Sequence, residues 1–430
     1  MMLGKIKEQR FLRGVVTLAS ASVVGQLIML AAMPFLTRLY TPESFGVFAV
    51  FSAIMGVVLV ISSWRYELAI PLLPGHKNAS RLLLLALIIN FLSASISAVV
   101  VLMFRFEIAG WADTPLLASF LWLLPVAILT GGTYKALNYW SIRSKDYRKI
   151  AITKITQSSV NVLVQLLGGI VGIGAIGLVI GQIIGQSAGV TRLWKGLKFK
   201  RMRAEVSKKH SFALLSRYRN FPKYDAPAAT LNASSAQLPN IAMAFIFGPA
   251  AAGMYYLADR VLSVPMSIVS QAIGQVLFSR IRDDIANEFL FKRVIGILLP
   301  LILSLIFLCF LVFFFAESLF SLVFGEKWRV AGGFASWLIV GLSVQFLYSP
   351  LSMVLMATNG QLVNLIINFI ILILKCLALY FGMIEDEQLY AVKLITVSLI
   401  LGYGVGVAII IYRICSSKHM KGFKRGGCRL

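Results

Sequence analysis

The sequence is poor in charged residues, and acidic residues are the scarcest of them. Only 13% of its 430 residues are charged, and 17 Asp and Glu stand against 41 Lys and Arg. Soluble domains carry about 25% charged residues, so this chain cannot cover a surface that faces water. The apolar fraction of 59% and the mean hydropathy of +0.84 indicate a lipid bilayer as its environment.

Residue types that build metal, disulfide and catalytic sites are scarce as well. The four cysteines, Cys309, Cys376, Cys415 and Cys428, lack the spacing of a zinc site or a disulfide framework. The sequence has no P-loop, which argues against ATP hydrolysis by the chain. It also shows no pair of carboxylates arranged as in glycosyl transfer. We therefore expect neither an enzyme nor a resident cofactor or metal.

The excess of basic residues gives a net charge of +24. In a soluble protein this excess would suggest nucleic acid as a partner. Here the Lys and Arg residues lie in short runs between apolar segments and do not form one basic face. The positive-inside rule of membrane proteins produces this pattern, so we expect no nucleic-acid partner.

Apolar stretches of spanning length recur along the whole chain. A helix needs about 20 apolar residues to cross a bilayer, and twelve such stretches lie at 14–37, 44–66, 82–104, 116–139, 150–171, 174–194, 223–247, 251–275, 294–315, 331–356, 361–383 and 389–412. Ala19-Ser20-Ala21 resembles a signal-peptide cleavage site, but most of the apolar run follows it, which favours a retained first helix. The sequence predicts an all-α polytopic membrane protein with twelve transmembrane helices.

The loops between these spans differ in charge. Most of the 41 Lys and Arg lie in the even-numbered loops and at the two ends of the chain, whereas the odd-numbered loops hold only Arg38, Arg105, Lys327 and Arg329. Those odd-numbered loops also hold eight acids, namely Glu43, Glu107, Asp113, Glu317, Glu326, Glu385, Asp386 and Glu387. The asymmetry predicts that both termini lie in the cytoplasm.

The chain divides into two halves at its longest polar stretch, 192–223, which is rich in Lys and Arg. We predict lobes of six spans each, at 1–205 and 206–430. The turn between spans one and two reads Pro42, three residues, then Gly46, and the turn between spans seven and eight repeats this spacing with Pro249 and Gly253. The match indicates a duplicated six-helix unit, whose copies would be parallel repeats.

Charged side chains inside spans are costly in lipid and are candidates for function. The cationic candidates for binding a substrate are Lys375, Arg65, Arg260, Lys135 and Lys393. Lys375 interrupts an apolar run, and both a cavity-facing role and a structural ion pair stay open for it. Snorkelling to the interface is the alternative for Arg65 and Lys393, and Lys135 lies about a turn inside its span.

Three acids inside spans are candidates for ion coupling or for structural pairing. Asp225 and Glu67 could carry a proton or bind a cation, or they could form salt bridges near the cytoplasmic interface. Asp259 adjoins Arg260 in the sequence. Because adjacent residues of a helix diverge by about 100°, each of these two needs a partner of its own.

Two spans carry residues with a further interpretation. Span seven is unusually polar, and Asn232, Ser235, Gln237 and Asn240 could line a wall that faces sugar hydroxyls; hydrogen bonds between helices are the alternative. Span six carries glycines at every fourth position, at 177, 181, 185 and 189. We interpret this stripe as a surface for close helix packing.

Three stretches of this sequence resemble a known family. They are Trp64-Arg65-Tyr66-Glu67-Leu68-Ala69-Ile70-Pro71, the span-seven segment Tyr224-Asp225-Ala226-Pro227-Ala228 with Asn232 and Gln237-Leu238-Pro239, and Ala258-Asp259-Arg260-Val261-Leu262 running into Ile273-Gly274-Gln275-Val276. They resemble signatures of the polysaccharide-transport, O-antigen flippase-like branch of the MOP superfamily. The resemblance extends over nearly the whole chain.

The resemblance implies two six-helix lobes that alternate access to a cationic central cavity. The implied function is the transfer of an undecaprenyl-diphosphate-linked oligosaccharide across the bacterial cytoplasmic membrane, coupled to an ion gradient. Arg65, Asp225, Asp259 and Arg260 match motif positions of the family, whereas Lys135 and Lys375 come from the residue analysis alone. The implied partners are the lipid-linked oligosaccharide, membrane lipids and other membrane proteins of polysaccharide assembly.

Two other classes of membrane protein stay open. A drug or cation antiporter of the same superfamily would have the same fold but should carry more acids than bases in its cavity. A membrane polymerase or ligase of polysaccharide assembly would be an enzyme, usually with a large periplasmic loop. The longest loops predicted on that side have only about fifteen residues, which argues against an enzyme of this kind.

Overall fold

All regular elements are helices in the computed structural model, which describes residues 2–111, 115–195, 197, 208–286, 290–357 and 360–415. They are α1 (Met2–Leu39), α2 (Pro42–Ile61), α3 (His76–Trp111), α4 (Pro115–Ala118), α5 (Leu124–Arg143), α6 (Tyr147–Val171), α7 (Ala175–Trp194), α8 (Lys208–Arg217), α9 (Ala226–Ala286), α10 (Leu290–Phe324), α11 (Arg329–Ala357), α12 (Gln361–Glu385) and α13 (Gln388–Cys415). The predicted all-α class is confirmed. Asp113, the basic residues Lys198, Lys200, Arg201 and Arg203 of the 192–223 stretch, and the basic tail after Cys415 lie outside the described residues.

The helices account for the predicted number of spans. Within the described residues, ten segments are long and apolar enough to cross a membrane. One of them, Phe221–Gln275, has 55 residues and leaves helical geometry at Gly248, where φ is 84° and ψ is 173°. It therefore holds the two predicted spans seven and eight. Together with α7, an apolar helix of 20 residues outside this set of ten, the count is twelve.

The chain forms two compact units, and the first is Met1–Gly253. In this unit α6 packs against α1 and α7, and α5 packs against α3 and α7. Its core contains Leu82, Leu83 and Leu137, which are fully buried. Burial of such large apolar side chains against other helices fixes the positions of the polar groups described below.

The second unit is Met254–Leu430. Here α11 packs against α10 and α13, and α12 packs against α13, around a core that includes Leu351, Leu355, Ile371 and Ile410. The boundary between the units falls inside α9. The predicted halves, 1–205 and 206–430, were defined by the proposed duplication of six spans and not by compactness. They stay a prediction.

The glycine stripe of α7 is a close-packing surface, as predicted. A Cβ atom at Gly185 would lie 2.7 Å from the Cβ of Asn161, and one at Gly189 would lie 2.5 Å from Nε2 of Gln157. Both partners belong to α6. The absence of side chains lets the two helices approach closely, so α6 and α7 form one of the tightest helix pairs in the first unit.

The two Pro-x₃-Gly turns contact each other within the first unit. A Cβ atom at Gly46 would collide with the backbone carbonyl of Pro249, and a Cβ atom at Gly253 would collide with the carbonyl of Pro42. Each turn therefore presents its proline carbonyl to the glycine of the other. This reciprocal arrangement is what a two-fold relation between the repeats requires, although the superposition of whole lobes stays a prediction.

The second span ends earlier than the sequence predicted. Helix α2 ends at Ile61, not at 66, because Trp64 and Arg65 adopt left-handed backbone angles with φ of 50° and 64°. A short 3₁₀ helix, Tyr66–Leu72, follows and packs against α3 and α5. Several residues of this 3₁₀ helix are buried and apolar. The sequence analysis therefore assigned its first residue to the second span.

Candidate functional site

The left-handed corner at Trp64 and Arg65 directs the Arg65 side chain to the start of α9. Nε of Arg65 lies 2.6 Å from Oδ2 of Asp225, and the two side chains are 21% and 44% exposed. A left-handed conformation costs a non-glycine residue about 1–2 kcal/mol, so other contacts must hold this corner. The Tyr66 hydroxyl provides one of them, because it donates to the carbonyl of Leu215 over 3.3 Å.

Glu67 lies two residues after Arg65 and forms a second ion pair. Its Oε1 lies 2.8 Å from Nζ of Lys135 on α5, and Glu67 itself is fully buried. The hydroxyl of Ser63 donates to the other carboxylate oxygen over 2.6 Å. Lys135 also donates to the carbonyls of Leu59 and Val60, near the end of α2, over 3.2 Å each.

The two ion pairs differ in how readily they can be exchanged. An ion pair that water reaches contributes about 0.2–1 kcal/mol, so Asp225 holds Arg65 only weakly. Removing one partner of a buried pair costs about 3–5 kcal/mol, because the other charge stays buried without compensation. The two bases are similarly exposed, Arg65 at 21% and Lys135 at 25%, so the difference lies in the acids, since Glu67 is fully buried and Asp225 is 44% exposed. Separating Arg65 from Asp225 therefore costs less than separating Lys135 from Glu67.

Tyr139 of α5 completes this cluster, and the sequence analysis did not single it out. It lies within electrostatic range of Glu67, Arg65 and Asp225. Tyr139 follows Lys135 by four residues and so lies on the same helix face. This spacing was the one sequence signal that could have identified it.

A cavity of about 370 Å³ opens beside the Arg65–Asp225 pair. It is lined by Ile61, Trp64, Pro222, Ala226, Pro227, Thr230, Leu231 and Ser234. Trp64 and Ala226 adjoin Arg65 and Asp225 in the chain, and Trp64 is 51% exposed. The cavity thus offers an apolar and aromatic wall next to an exchangeable cation.

The four residues predicted to form a sugar-facing wall do not share one environment. Asn232 is exposed, whereas Ser235 and Asn240 are buried. Asn240 donates to Oε1 of Gln237 over 3.2 Å. Asn232 therefore suits the sugar-facing interpretation. The contact between Asn240 and Gln237 lies within α9, so the alternative of hydrogen bonds between helices stays a prediction.

The second unit contains another group of predicted residues. Lys375 on α12 is buried, with 8% exposure, and interacts electrostatically with Asp259 on α9. Arg260 also lies within electrostatic range of Asp259. One acid thus faces two bases, an arrangement that fits the ion-pair interpretation of Lys375 and leaves positive charge in excess among these three residues.

Lys393 has an aromatic partner in the same unit. Its Nζ lies 5.2 Å from the ring centroid of Trp337 on α11. A lysine at this distance from the face of an indole ring gains a cation–π interaction of about 0.5–2 kcal/mol. This contact supports a packing role for Lys393 between α11 and α13.

Comparisons with known proteins agree with this architecture. Residues 35–332 match the family described as polysaccharide biosynthesis protein. No curated protein matches the chain by sequence.

Several solved structures share the fold. An inward-facing multidrug resistance MATE transporter of the MOP superfamily superposes with a TM-score of 0.73 at 15% identity, over 92% of this chain and 96% of its own. The lipid II flippase MurJ in an inward closed conformation superposes with a TM-score of 0.70 at 14% identity, over 96% of this chain and 94% of its own. A MOP superfamily transporter from Pyrococcus furiosus superposes with a TM-score of 0.62 at 12% identity, over 94% of this chain and 96% of its own. At such identities the likeness shows the fold alone, which is the two-lobe fold of MOP transporters.

Proposed function

The chain belongs to the polysaccharide biosynthesis protein family, and we propose that it is a flippase for an oligosaccharide linked to undecaprenyl diphosphate. In this proposal the protein carries its passenger across the bacterial cytoplasmic membrane by alternating access and draws on an ion gradient. It is a transporter and not an enzyme, and the lipid-linked oligosaccharide is its partner.

The observation that carries the proposal is the exchangeable Arg65 beside an apolar cavity. A diphosphate is an anion that a guanidinium binds through two parallel hydrogen bonds. Arg65 is partly exposed and its only ion pair among the described residues is the one with Asp225. The passenger's diphosphate would displace Asp225, and the apolar and aromatic wall at Trp64 would cover the first part of the lipid chain.

Release would follow from the same pair. When the diphosphate leaves, the Asp225 carboxylate can return to Arg65, so the cation is not left unpaired between transport cycles. A proton or cation that binds Asp225 while the passenger occupies Arg65 would couple the cycle to an ion gradient. The buried Lys135–Glu67 pair would hold the corner in place throughout.

An export assay of Arg65 variants tests this proposal. We expect Arg65→Ala to reduce transfer of a diphosphate-linked oligosaccharide across proteoliposome membranes at least tenfold, and Arg65→Lys to retain part of the activity, because lysine keeps the charge but loses the two-pronged geometry. Protein amount is measured in parallel.

Arg329 provides the matched control. It also forms an ion pair, with Nη1 3.2 Å from Oε1 of Glu326, but it is 60% exposed and has no cavity beside it among those the structure describes. Arg329→Ala should transfer the passenger as the unchanged protein does. Normal transfer by Arg65→Ala would refute the role proposed for Arg65.

Transport of cationic drugs is the alternative, and the fold alone permits it. A cationic drug needs a carboxylate that no base neutralises. In the first unit Asp225 and Glu67 are each paired with a base, and in the second unit Asp259 faces two bases. Proteoliposomes that exchange a lipophilic cation but leave the lipid-linked oligosaccharide in place would favour the antiporter.

A further inference from the structure

A second cavity, of about 800 Å³, lies in the first unit at the ends of three helices. It is lined by Thr17, Lys145, Asp146, Tyr147, Arg148, Lys149, Ile152 and Arg192. These residues come from α1, the turn between α5 and α6, the first turns of α6, and the end of α7. None of them belongs to the Arg65 site.

The lining concentrates positive charge. Lys145, Arg148, Lys149 and Arg192 bring four cations to one cavity, and Asp146 is the one acid among its described lining residues. Four bases around one acid favour an anionic occupant. The volume lies within the range of about 300–1,000 Å³ that is typical of small-molecule sites, which is more than a single inorganic phosphate needs.

Backbone contacts hold this lining in place. Nζ of Lys149 donates to the carbonyl of Lys195 over 2.8 Å and to that of Leu193 over 3.4 Å, which fixes the start of α6 to the end of α7. Lys145 occupies a left-handed turn with φ of 59°. The cations thus project from an ordered corner and not from a free loop.

The cavity lies at the level where spans begin and end. The span of α6 begins at Tyr147, and its first turns line the cavity. Trp194, two residues after Arg192, is 40% exposed, as an aromatic anchor at a bilayer interface is. An anion bound here therefore lies at the height of lipid headgroups.

Apolar surface continues from the cavity along the same helices. Val16 on α1 is 66% exposed, and Leu163 and Leu167 on α6 are 57% and 53% exposed. Such surface suits acyl chains. The ligand that matches both parts is an amphiphile with an anionic head and an apolar tail.

We propose that this cavity binds the headgroup of an anionic phospholipid of the membrane, with the phosphate held by Arg148, Lys149 and Arg192 and the acyl chains along α1 and α6. Basic pockets between transmembrane helices recognise such headgroups through phosphate contacts. The bound lipid joins α1, α6 and α7 at one interface and stabilises their packing.

Thermal unfolding of the purified protein in detergent tests the proposal. We expect phosphatidylglycerol or cardiolipin to raise the Tm by several degrees, because a ligand that binds only the folded state stabilises it. Phosphatidylcholine and inorganic phosphate should raise it much less. In the double variant Arg148→Gln/Arg192→Gln, the apparent affinity for the anionic lipid, obtained from the rise in Tm with lipid concentration, should be at least tenfold lower.

The double variant Lys77→Gln/Arg81→Gln is the matched control, since it removes two cations at the start of α3 that line no cavity described in the structure. It should keep the full response to anionic lipid. Equal losses in both double variants would show attraction to the overall charge and overturn the proposal. Equal stabilisation by inorganic phosphate would assign the cavity to a free anion and overturn it as well.

Discussion

At the scale of single residues, the first unit separates two kinds of charge by their exposure. The carboxylate of Glu67 is fully buried and is held by Lys135 and Ser63. Lys135 has two further acceptors in the carbonyls of Leu59 and Val60. The two partners therefore depend on each other unequally, because the lysine keeps acceptors without the acid, whereas the acid forms no second ion pair among the described residues.

We expect this inequality to appear in stability measurements. Lys135→Met should lower the Tm markedly, since an unpaired buried carboxylate costs about 3–5 kcal/mol, and Glu67→Gln should lower it less. The double variant Glu67→Gln/Lys135→Met should regain much of the loss. Glu326→Gln, in an exposed pair, is the control and should leave the Tm unchanged. Equal losses in the two single variants would contradict this account.

At the scale of elements, α7 shows how polar side chains are accommodated in a helix of spanning length. It carries Gln182 and Gln186. Oε1 of Gln182 accepts from Ser52 of α2 over 2.9 Å, whereas Oε1 of Gln186 is buried without a hydrogen-bond partner among the described residues. The backbone carbonyl of Gln186 accepts from Gln157 of α6 over 3.2 Å. The glycine stripe brings α6 close enough for such contacts. Close packing against α6 therefore helps to hold α7 in place.

Substitution of a stripe glycine tests the importance of this packing. Gly185→Val should reduce the amount of folded protein and lower its Tm, since a Cβ atom there would lie 2.9 Å from the backbone oxygen of Gln157. Gly404→Val is the control, because a Cβ atom at that helical glycine has no neighbour within 4 Å. If both variants behave alike, the general preference against β-branched residues explains the effect, and the stripe does not.

At the scale of the whole molecule, alternating access requires that the turns at Pro42 and Pro249 separate on the side predicted to be periplasmic. The structure shows them in contact, each with its proline carbonyl against the glycine of the other. The proposed export therefore includes a state in which this contact is broken.

Cross-linking can hold the contact closed. In a cysteine-free background, Glu43→Cys with Ala250→Cys should react with a short membrane-impermeant bifunctional thiol reagent, and transfer of the lipid-linked oligosaccharide should stop. Either single variant should continue to transfer the lipid-linked oligosaccharide after the same treatment. Cleavage of the reagent should restore transfer by the double variant. Continued transfer by cross-linked protein would show that these turns stay together through the cycle. Absence of any reaction would place them on the other side of the membrane.

The sequence predicted the helices well and the site only in part. Runs of about 20 apolar residues predict spans because the bilayer imposes that length. The early end of α2 was not predictable, since Leu68 and Ile70 are as apolar in a buried 3₁₀ helix as in a span. The partners of Arg65 and Lys135 are 160 and 68 residues away, and long-range pairing of this kind leaves no local pattern. In the sequence, the cations of the 800 Å³ cavity around Arg148 indicated only a cytoplasmic loop, because the positive-inside rule explains basic loops without a binding site.

The distance along the chain between Arg65 and Asp225 also has a consequence for biogenesis. At a synthesis rate of about 5–20 residues per second, the 160 residues between them take about 8–30 seconds to appear. During that interval Arg65 is an uncompensated cation at the end of a newly inserted helix, and in the predicted orientation it retains its loop on the cytoplasmic side. Asp225 neutralises it only when the seventh span arrives, so one arginine first serves topogenesis and afterwards forms the proposed site.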